Sequence, residues 1–473
     1  MLLYNMYKYS FWSNLQKCTL HKLLPYVKGM YISMNIKAIK TIKGQEPMQE
    51  VSDLSVFENV GQDYALISIF PDIEYQEIKG FGGAFTEAAS TTLDKLSKEN
   101  REKILRLYFD KIDGIGYNYG RVHMNSCDFS LENYTCVEEG DETLETFNVE
   151  RDKKSIIPMI KDAMQYGEID MFASPWSPPA YMKTNGQMNG GGKLKAEYYE
   201  LWSQYYGKFI DEYKKNGIKI GAVTVQNEAK ATQTWDSCVY TAEEERDFIK
   251  NYLGQKMQDM GVKIFFWDHN KERLIERARV MLNDKETAKY VAGIAMHWYS
   301  GDHFEQVRMF KELYPDKDIV FSEGCWEYAR GVEDTVKIGE KYAHDIIGNF
   351  NNYCNVFCDW NLLLDEKGGP NHVGNFCHAP IMADTKNDRF DVHTSYYYIG
   401  HFSKFIQKGA KRIGSSKWTY MLDTVSFKNP DGSIVSVVLN MTDEDVKFSF
   451  SIDNKIIAGK AEAHSIATYI FAE

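Results

Sequence analysis

The stretch IGAVTVQNEAK (220–230), an amphipathic segment over 242–260 and then VKIFFWDHN (262–270) decide the fold. A short apolar run, a longer stretch with helical spacing and a second apolar run make one β-α-β unit. Working outward, IKGFG (78–82), IGYNYGRVHM (115–124) and IDMFASPW (169–176) precede it, and VAGIAMHWY (291–299), DIVFSEG (318–324) and CNVFCDWN (354–361) follow. The remaining helix-like segments cover 92–108, 152–166, 195–215, 271–288, 302–314, 332–350 and 391–407. Eight strands alternating with eight helices predict an α/β chain, a (β/α)₈ TIM barrel over 78–408. The segment between the second and third strands and the loop 176–194 become elaborations of its rim.

The flanks read differently. Past residue 410, KWTYMLDTVSFKNPDGSIVSVVLNMTDEDVKFSFSI (417–452) alternates with period two, and its NPDG (429–432) marks a hairpin turn. Residues 34–77 alternate in the same way. We therefore expect an all-β sandwich side domain, built from N-terminal strands over 34–77 and C-terminal strands over 409–473. Residues 1–33 read as a poorly structured extension. They mix Lys, His, Gln and Asn through their apolar positions and offer neither an uninterrupted apolar stretch nor a small-residue cleavage site. A cytoplasmic location is the expectation.

Composition narrows the function. With 473 residues, 44% of them hydrophobic, the chain buries a large core, and its 55 basic against 67 acidic residues give a net charge of −12, which disfavours nucleic acid as a partner. Among 473 residues there are 8 cysteines, too few for a disulfide scaffold, and reduced thiols are the default. Cys354 and Cys358 stand four apart, but no CxxC pair and no HExxH occurs, so neither a metal nor a cofactor is expected. No apolar run reaches the ~18 residues of a membrane span, so integral membrane association is not expected.

In a parallel barrel the active site gathers at the C-terminal ends of the strands. The fourth run ends Gln226-Asn227-Glu228 and the seventh ends Phe321-Ser322-Glu323, so two carboxylates stand at the mouth. One Glu at a strand end is ordinarily a loop ion pair. Two are the equipment of glycoside hydrolysis, one protonating the leaving oxygen and the other attacking the anomeric carbon. Trp176, His297-Trp298-Tyr299 and Trp360-Asn361 end other runs, where aromatic faces and amides can hold a neutral polyol, although core packing would claim some of the rings. Glu87 follows the first run in KGFGGAFTEAAS, whose glycines let the backbone turn sharply. Phe85 stands where a GxGxxG needs its last glycine, and NGGGKL (189–194) lacks the first P-loop glycine, so phosphate binding is not supported.

KGFGGAFTEAAS, RVHMNSCDFS, FASPWSPPAYMKTNGQMNGGGKL, TVQNE, MHWY, FSEGC, DWNLLLDEKGGPNHVGNF and YYIGHFSKFIQKGAKRI together resemble family 30 glycoside hydrolases of the glucosylceramidase (acid β-glucosidase) type, from about residue 40 to 470 and in the family's motif order. The resemblance implies a retaining β-glycosidase with no cofactor, acting on a β-linked glycoside or glycolipid. It implies Glu228 as acid/base and Glu323 as nucleophile. Asn227 would hold the 2-hydroxyl, and Trp176, Trp360 and Asn375 would shape the first sugar subsite. Arg121, His297 and Tyr299 would keep Glu323 charged and oriented. Glu87 stands where glucosylceramide-cleaving members have the shorter Asp, at a position reading distal sugar hydroxyls. The loop after Glu228 resembles bacterial members, some of which act on β-1,6-glucan or β-xylosides. These two activities, and an inert carbohydrate-binding barrel outside the enzyme class, are the alternatives.

Overall fold

The computed structural model describes residues 35–51, 54–58, 65–328 and 335–472. The extension expected over 1–33, and with it the reading of its targeting, lies outside these residues, as do the first three positions of the helix-like segment at 332.

Eight parallel strands close into a barrel: β1 (Gly80–Phe85), β2 (Tyr119–Met124), β3 (Asp170–Pro175), β4 (Ile220–Thr224), β5 (Lys263–Asn270), β6 (Val291–His297), β7 (Asp318–Glu323) and β8 (Val356–Asn361), with β8 pairing back to β1. Each falls inside an expected run or extends it by a few residues at most. The barrel's interior is filled by Tyr119, Phe172, Ala222, Phe265, Ala295, Val320, Val356 and Cys358, so the barrel is a packed core with its chemistry at one end. The glycines of β1 act otherwise than expected. They lie within the strand, and a Cβ on Gly82 would come 1.7 Å from the Tyr119 carbonyl oxygen. Glycine there permits the close approach of β1 to β2 rather than a turn.

The helices form the outer ring, with a continuous apolar layer between them and the strands. The first is split. Thr86 caps Glu87–Asp94 by accepting from the Ala89 amide at 3.0 Å, and Ser97 restarts the chain as Lys98–Phe109. Glu87 thus opens a helix, ahead of the helix-like segment expected from 92.

The side domain interleaves the two chain ends. Strand Asn35–Ile42 pairs antiparallel with Ser465–Ala472, and Leu66–Glu77 lies between Lys411–Lys417 and Val446–Ile452. The Asn429–Gly432 turn joins Leu422–Lys428 to Ile434–Asn440 as a hairpin. His401, on the barrel's last helix (Thr394–Ser403), bonds Thr41 and Thr468 at 2.9 Å each and ties the barrel to both ends of the chain. No helix among the described residues is long and apolar enough to cross a membrane.

Candidate active site

Arg121, on β2 and fully buried, organises the barrel mouth. Its guanidinium donates to Glu323 Oε2 at 2.5 Å, Asn227 Oδ1 at 2.8 Å, Asp268 Oδ2 at 2.8 Å and Ser174 Oγ at 3.1 Å. Burial opposes its charge, and the two carboxylates more than compensate, so the group stays a cation. The same pairing holds Asp268 well below the usual carboxylate range: burial works to raise it, and Arg121 with His297 overrides that. Tyr299 donates its hydroxyl to Glu323 Oε1 at 2.9 Å. Burial, with Cys325 and Glu323 nearby, pushes the phenol upward and keeps that proton in place.

Two β-bulges put these groups within reach of each other. The β5–β6 register shifts so that Ala295 faces Trp267 while Met296 faces His269, leaving Asp268 as the extra residue, and Trp267 and Asp268 both have positive φ. Likewise Met296 faces Phe321 and His297 faces Glu323, leaving Ser322 extra on β7. In an unbroken strand neighbouring side chains point to opposite faces. The bulges let Asp268 and His269, and Ser322 and Glu323, serve the same site. Ser322 Oγ bonds Asp268 Oδ1 at 2.5 Å.

Glu228 lies four residues past β4 with φ 51°, a left-handed conformation held by its amide on the Asp268 carbonyl at 2.8 Å and by its own carbonyl accepting from Ala231 at 2.8 Å. Gln233 donates to its Oε2 at 3.1 Å. His297 Nδ1 stands 3.5 Å from Glu228 Oε1 and 3.8 Å from Glu323 Oε1, while its Nε2 meets Asp268 Oδ1 at 3.0 Å. The two carboxylates therefore face one nitrogen, and their nearest oxygens cannot be farther apart than the sum of those two spans. That rules out the upper part of the ~6.5–9.5 Å range of inverting glycosidases and admits the ~5–5.5 Å of retaining ones. Burial lowers His297, but Glu323, Asp268 and Glu228 outweigh it and raise the ring to about 9. Burial raises Glu228, and the His297 and His269 rings pull it down to about 2. A proton placed between Glu228 and His297 belongs to the pair.

Trp176 and Trp360 are 2% and 3% exposed and stack on each other at 5.2 Å, over the guanidinium of Arg121. Trp298 is a core residue, packed on Phe321 and Tyr342. Asn375, on the rim, donates to Asp128 Oδ2 at 3.1 Å.

Glu87 is not brought to this group as a free hydroxyl reader. Its carboxylate is taken by Arg151 at 2.7 and 3.2 Å and by the Leu131 amide at 2.9 Å. The rim carboxyl beside Asn375 is Asp128 of the quoted RVHMNSCDFS motif. Burial and then the charge of Glu323 push the Asp128 carboxyl well above the usual range, against the hydrogen bond from Asn375. Sequence reasoning passed over Asp128, Asp268 and His269. Asp128 follows β2 by four residues, just as Glu228 follows β4, a spacing that could have singled it out.

A closed parallel barrel with two facing carboxylates, an arginine hub and a stacked tryptophan pair at its C-terminal mouth has the equipment of a glycoside-cleaving enzyme. Comparison with known proteins makes the class specific. Residues 78–406 match the glycosyl hydrolase family 30 TIM-barrel domain, and 409–469 match the family's beta sandwich domain. The chain belongs to glycosyl hydrolase family 30 and is a glycosidase. It is 38% identical over 431 residues to the lysosomal acid glucosylceramidase of Mus musculus, covering 86% of this chain and 83% of that one. It is similar to the crystal structure of SrfJ from Salmonella typhimurium, with a TM-score of 0.90, 37% identity and 93% and 99% of the two chains covered. The endo-β1,6-glucanase BT3312 follows at a TM-score of 0.84 and 27% identity, covering 93% and 100%.

Proposed function

We propose that this chain is a retaining β-glucosidase of glucosylceramidase type, with Glu323 as nucleophile and Glu228 as acid/base. The observation that carries the reading is the pair of carboxylates facing His297 Nδ1 while Arg121 and Tyr299 occupy both oxygens of Glu323. Glu323 attacks the anomeric carbon as Glu228 gives its proton to the leaving oxygen. The resulting glycosyl-enzyme is then hydrolysed by a water that Glu228 deprotonates. Arg121 fixes the Asn227 amide by its oxygen, which leaves the amide N–H groups for the sugar 2-hydroxyl. Asp128 and Asn375 read hydroxyls farther out.

Likeness to the mouse lysosomal acid glucosylceramidase supports an apolar aglycone. So do Leu131 and Phe376, 48% and 37% exposed on the rim segments that also carry Asp128 and Asn375. A β-1,6-glucan is the second reading, motivated by the likeness to BT3312. Assays on aryl β-glucoside, aryl β-xyloside, a β-1,6-glucan and glucosylceramide separate these, with product stereochemistry followed by NMR. A mechanism-based 2-fluoroglucoside should label Glu323, and labelling elsewhere would overturn the assignment. We further propose a cytoplasmic location. The seven described cysteines are free thiols, as a reducing compartment would keep them, and cell fractionation tests it.

A further inference from the structure

Beside the acid/base carboxyl stands a ligand set that the sugar chemistry does not require. Glu228, His269 and His297 each bring a ligand atom within 4.8 Å of the other two. From Glu228 Oε1 the imidazole nitrogens lie at 3.6 and 3.5 Å. Around a tetrahedral zinc with bonds of ~2.0–2.2 Å, neighbouring donors sit roughly 3.3–3.6 Å apart. Two of the three edges are thus already near coordinating length, and the third is at most 4.8 Å.

Two further observations point to a ligand. Both Nδ1 atoms are buried without a hydrogen-bond partner, and His297 is fully buried. His297 also presents Nε2 to Asp268 Oδ1 at 3.0 Å. A carboxylate behind the far nitrogen leaves the Nδ1 lone pair for a metal and is the arrangement that orients metal-binding histidines. Glu228 and His269 keep 12% and 14% side-chain exposure, so an ion can enter from the mouth, where a water would fill the fourth position.

We propose that Glu228, His269 and His297 form a binding site for a divalent transition metal of the zinc class, and that an ion held there blocks turnover by occupying the acid/base carboxylate. Two imidazoles and one carboxylate match zinc better than the all-oxygen sets of calcium or magnesium. The charged groups facing the ion are Glu323 from β7, Asp268 from β5 and Arg121 from β2; the Tyr299 phenol is neutral. The carboxylates favour a dication and Arg121 opposes it. No motif announced the site, because its ligands come from three different strand ends.

Metal binding rests on this ligand geometry alone, and only its inhibitory consequence rests on the proposed role of Glu228. The test is titration of the chelator-treated full chain with Zn²⁺ by calorimetry and with Co²⁺ by visible absorption, with aryl β-glucosidase activity measured in parallel. One equivalent should bind with the strong bands of tetrahedral Co²⁺ and no thiolate charge-transfer band, and activity should fall with occupancy and return on adding EDTA. His269→Asn should weaken binding by about 10–100-fold. Should that variant fail to fold, imidazole NMR signals of the wild type must shift with the first equivalent of Co²⁺. Two buried thiols, Cys325 and Cys377, lie 3.3 Å apart near the site and are the competing soft-metal ligands. Binding that survives His269→Asn but vanishes in a Cys325→Ser/Cys377→Ser variant would overturn the proposal, as would no binding at millimolar Zn²⁺. Binding at the expected site with activity unchanged would leave the metal site standing and remove the acid/base role of Glu228.

Discussion

Replacing Arg121 by Met keeps much of the side chain's bulk and deletes its charge, and the consequences can be worked from the contacts. Arg121 is the shared counter-ion of Asp268 and Glu323, with Arg121 and Asp268 fully buried. Removing one partner of a buried pair costs about 3–5 kcal/mol, because the remaining charge is left without compensation. At ~2.1 cal/mol/K of unfolding entropy per residue, a chain of 473 residues melting as one unit would lose about 3–5 °C. The deficit should depend on pH. In the wild type, Asp268 is depressed, so its contribution is fully present above the unfolded carboxyl value of ~3.9 and is lost only as pH falls through its lower folded value. Without Arg121, burial dominates and the folded value of Asp268 rises, so the variant's penalty is present at neutral pH and relaxes on acidification. Melting both proteins at pH 7 and near pH 4 should therefore show a gap that narrows in acid. In the same variant kcat/KM should drop by roughly 10²-fold or more, since Glu323 and Asn227 lose their common clamp. A gap that stays constant with pH, or that falls below about 1 kcal/mol, would refute this account of the hub.

His401 is buried between Thr41 and Thr468 and its pKa is depressed to about 3, so the unfolded chain takes up a proton below ~6.5 that the folded one refuses. Stability should fall by about 2 kcal/mol between pH 7 and pH 5 on this account, and His401→Gln should flatten that slope in urea unfolding. Asp128→Ala should raise KM about 10–100-fold, the value of one or two hydrogen bonds to a sugar, whereas Glu87→Ala, which releases Arg151 and the Leu131 amide, should act chiefly on thermal stability; initial-rate kinetics and melting of both variants decide between them. Glu323→Ala should abolish turnover, and azide should restore cleavage of an activated aryl glucoside with inverted product, read by NMR. His297→Asn removes the imidazole that shares a proton with Glu228, and the basic limb of the kcat/KM profile should move to lower pH; an unmoved limb would show that His297 has no part in holding that proton.

The barrel was legible because a βα repeat leaves a local signature. Runs such as IGAVTVQN and DIVFSEG end where a parallel barrel places its chemistry, and Glu228 and Glu323 stood out for that reason. Arg121, His297, Tyr299 and Asn227 came from likeness of motif, and in the structure they gather around the same carboxylates. The partners of Glu87 could not be read from the sequence, because adjacency to a strand end says nothing about what else claims the side chain, and Arg151 arrives from 64 residues away. Asp268 and His269 were invisible, since successive residues on a regular strand face opposite ways and nothing in WDHN announces a bulge.

The sequence by itself determined the order of strands and helices, the side domain drawn from both chain ends and the two strand-end glutamates, because hydrophobic periodicity and turn chemistry act over a few residues. The tertiary structure alone decided which carboxyl stands beside Asn375 on the rim, which residues share Arg121, and that one histidine faces both glutamates. Those outcomes follow from barrel closure and from two register shifts, which depend on how neighbouring strands pack and not on the residues within either strand.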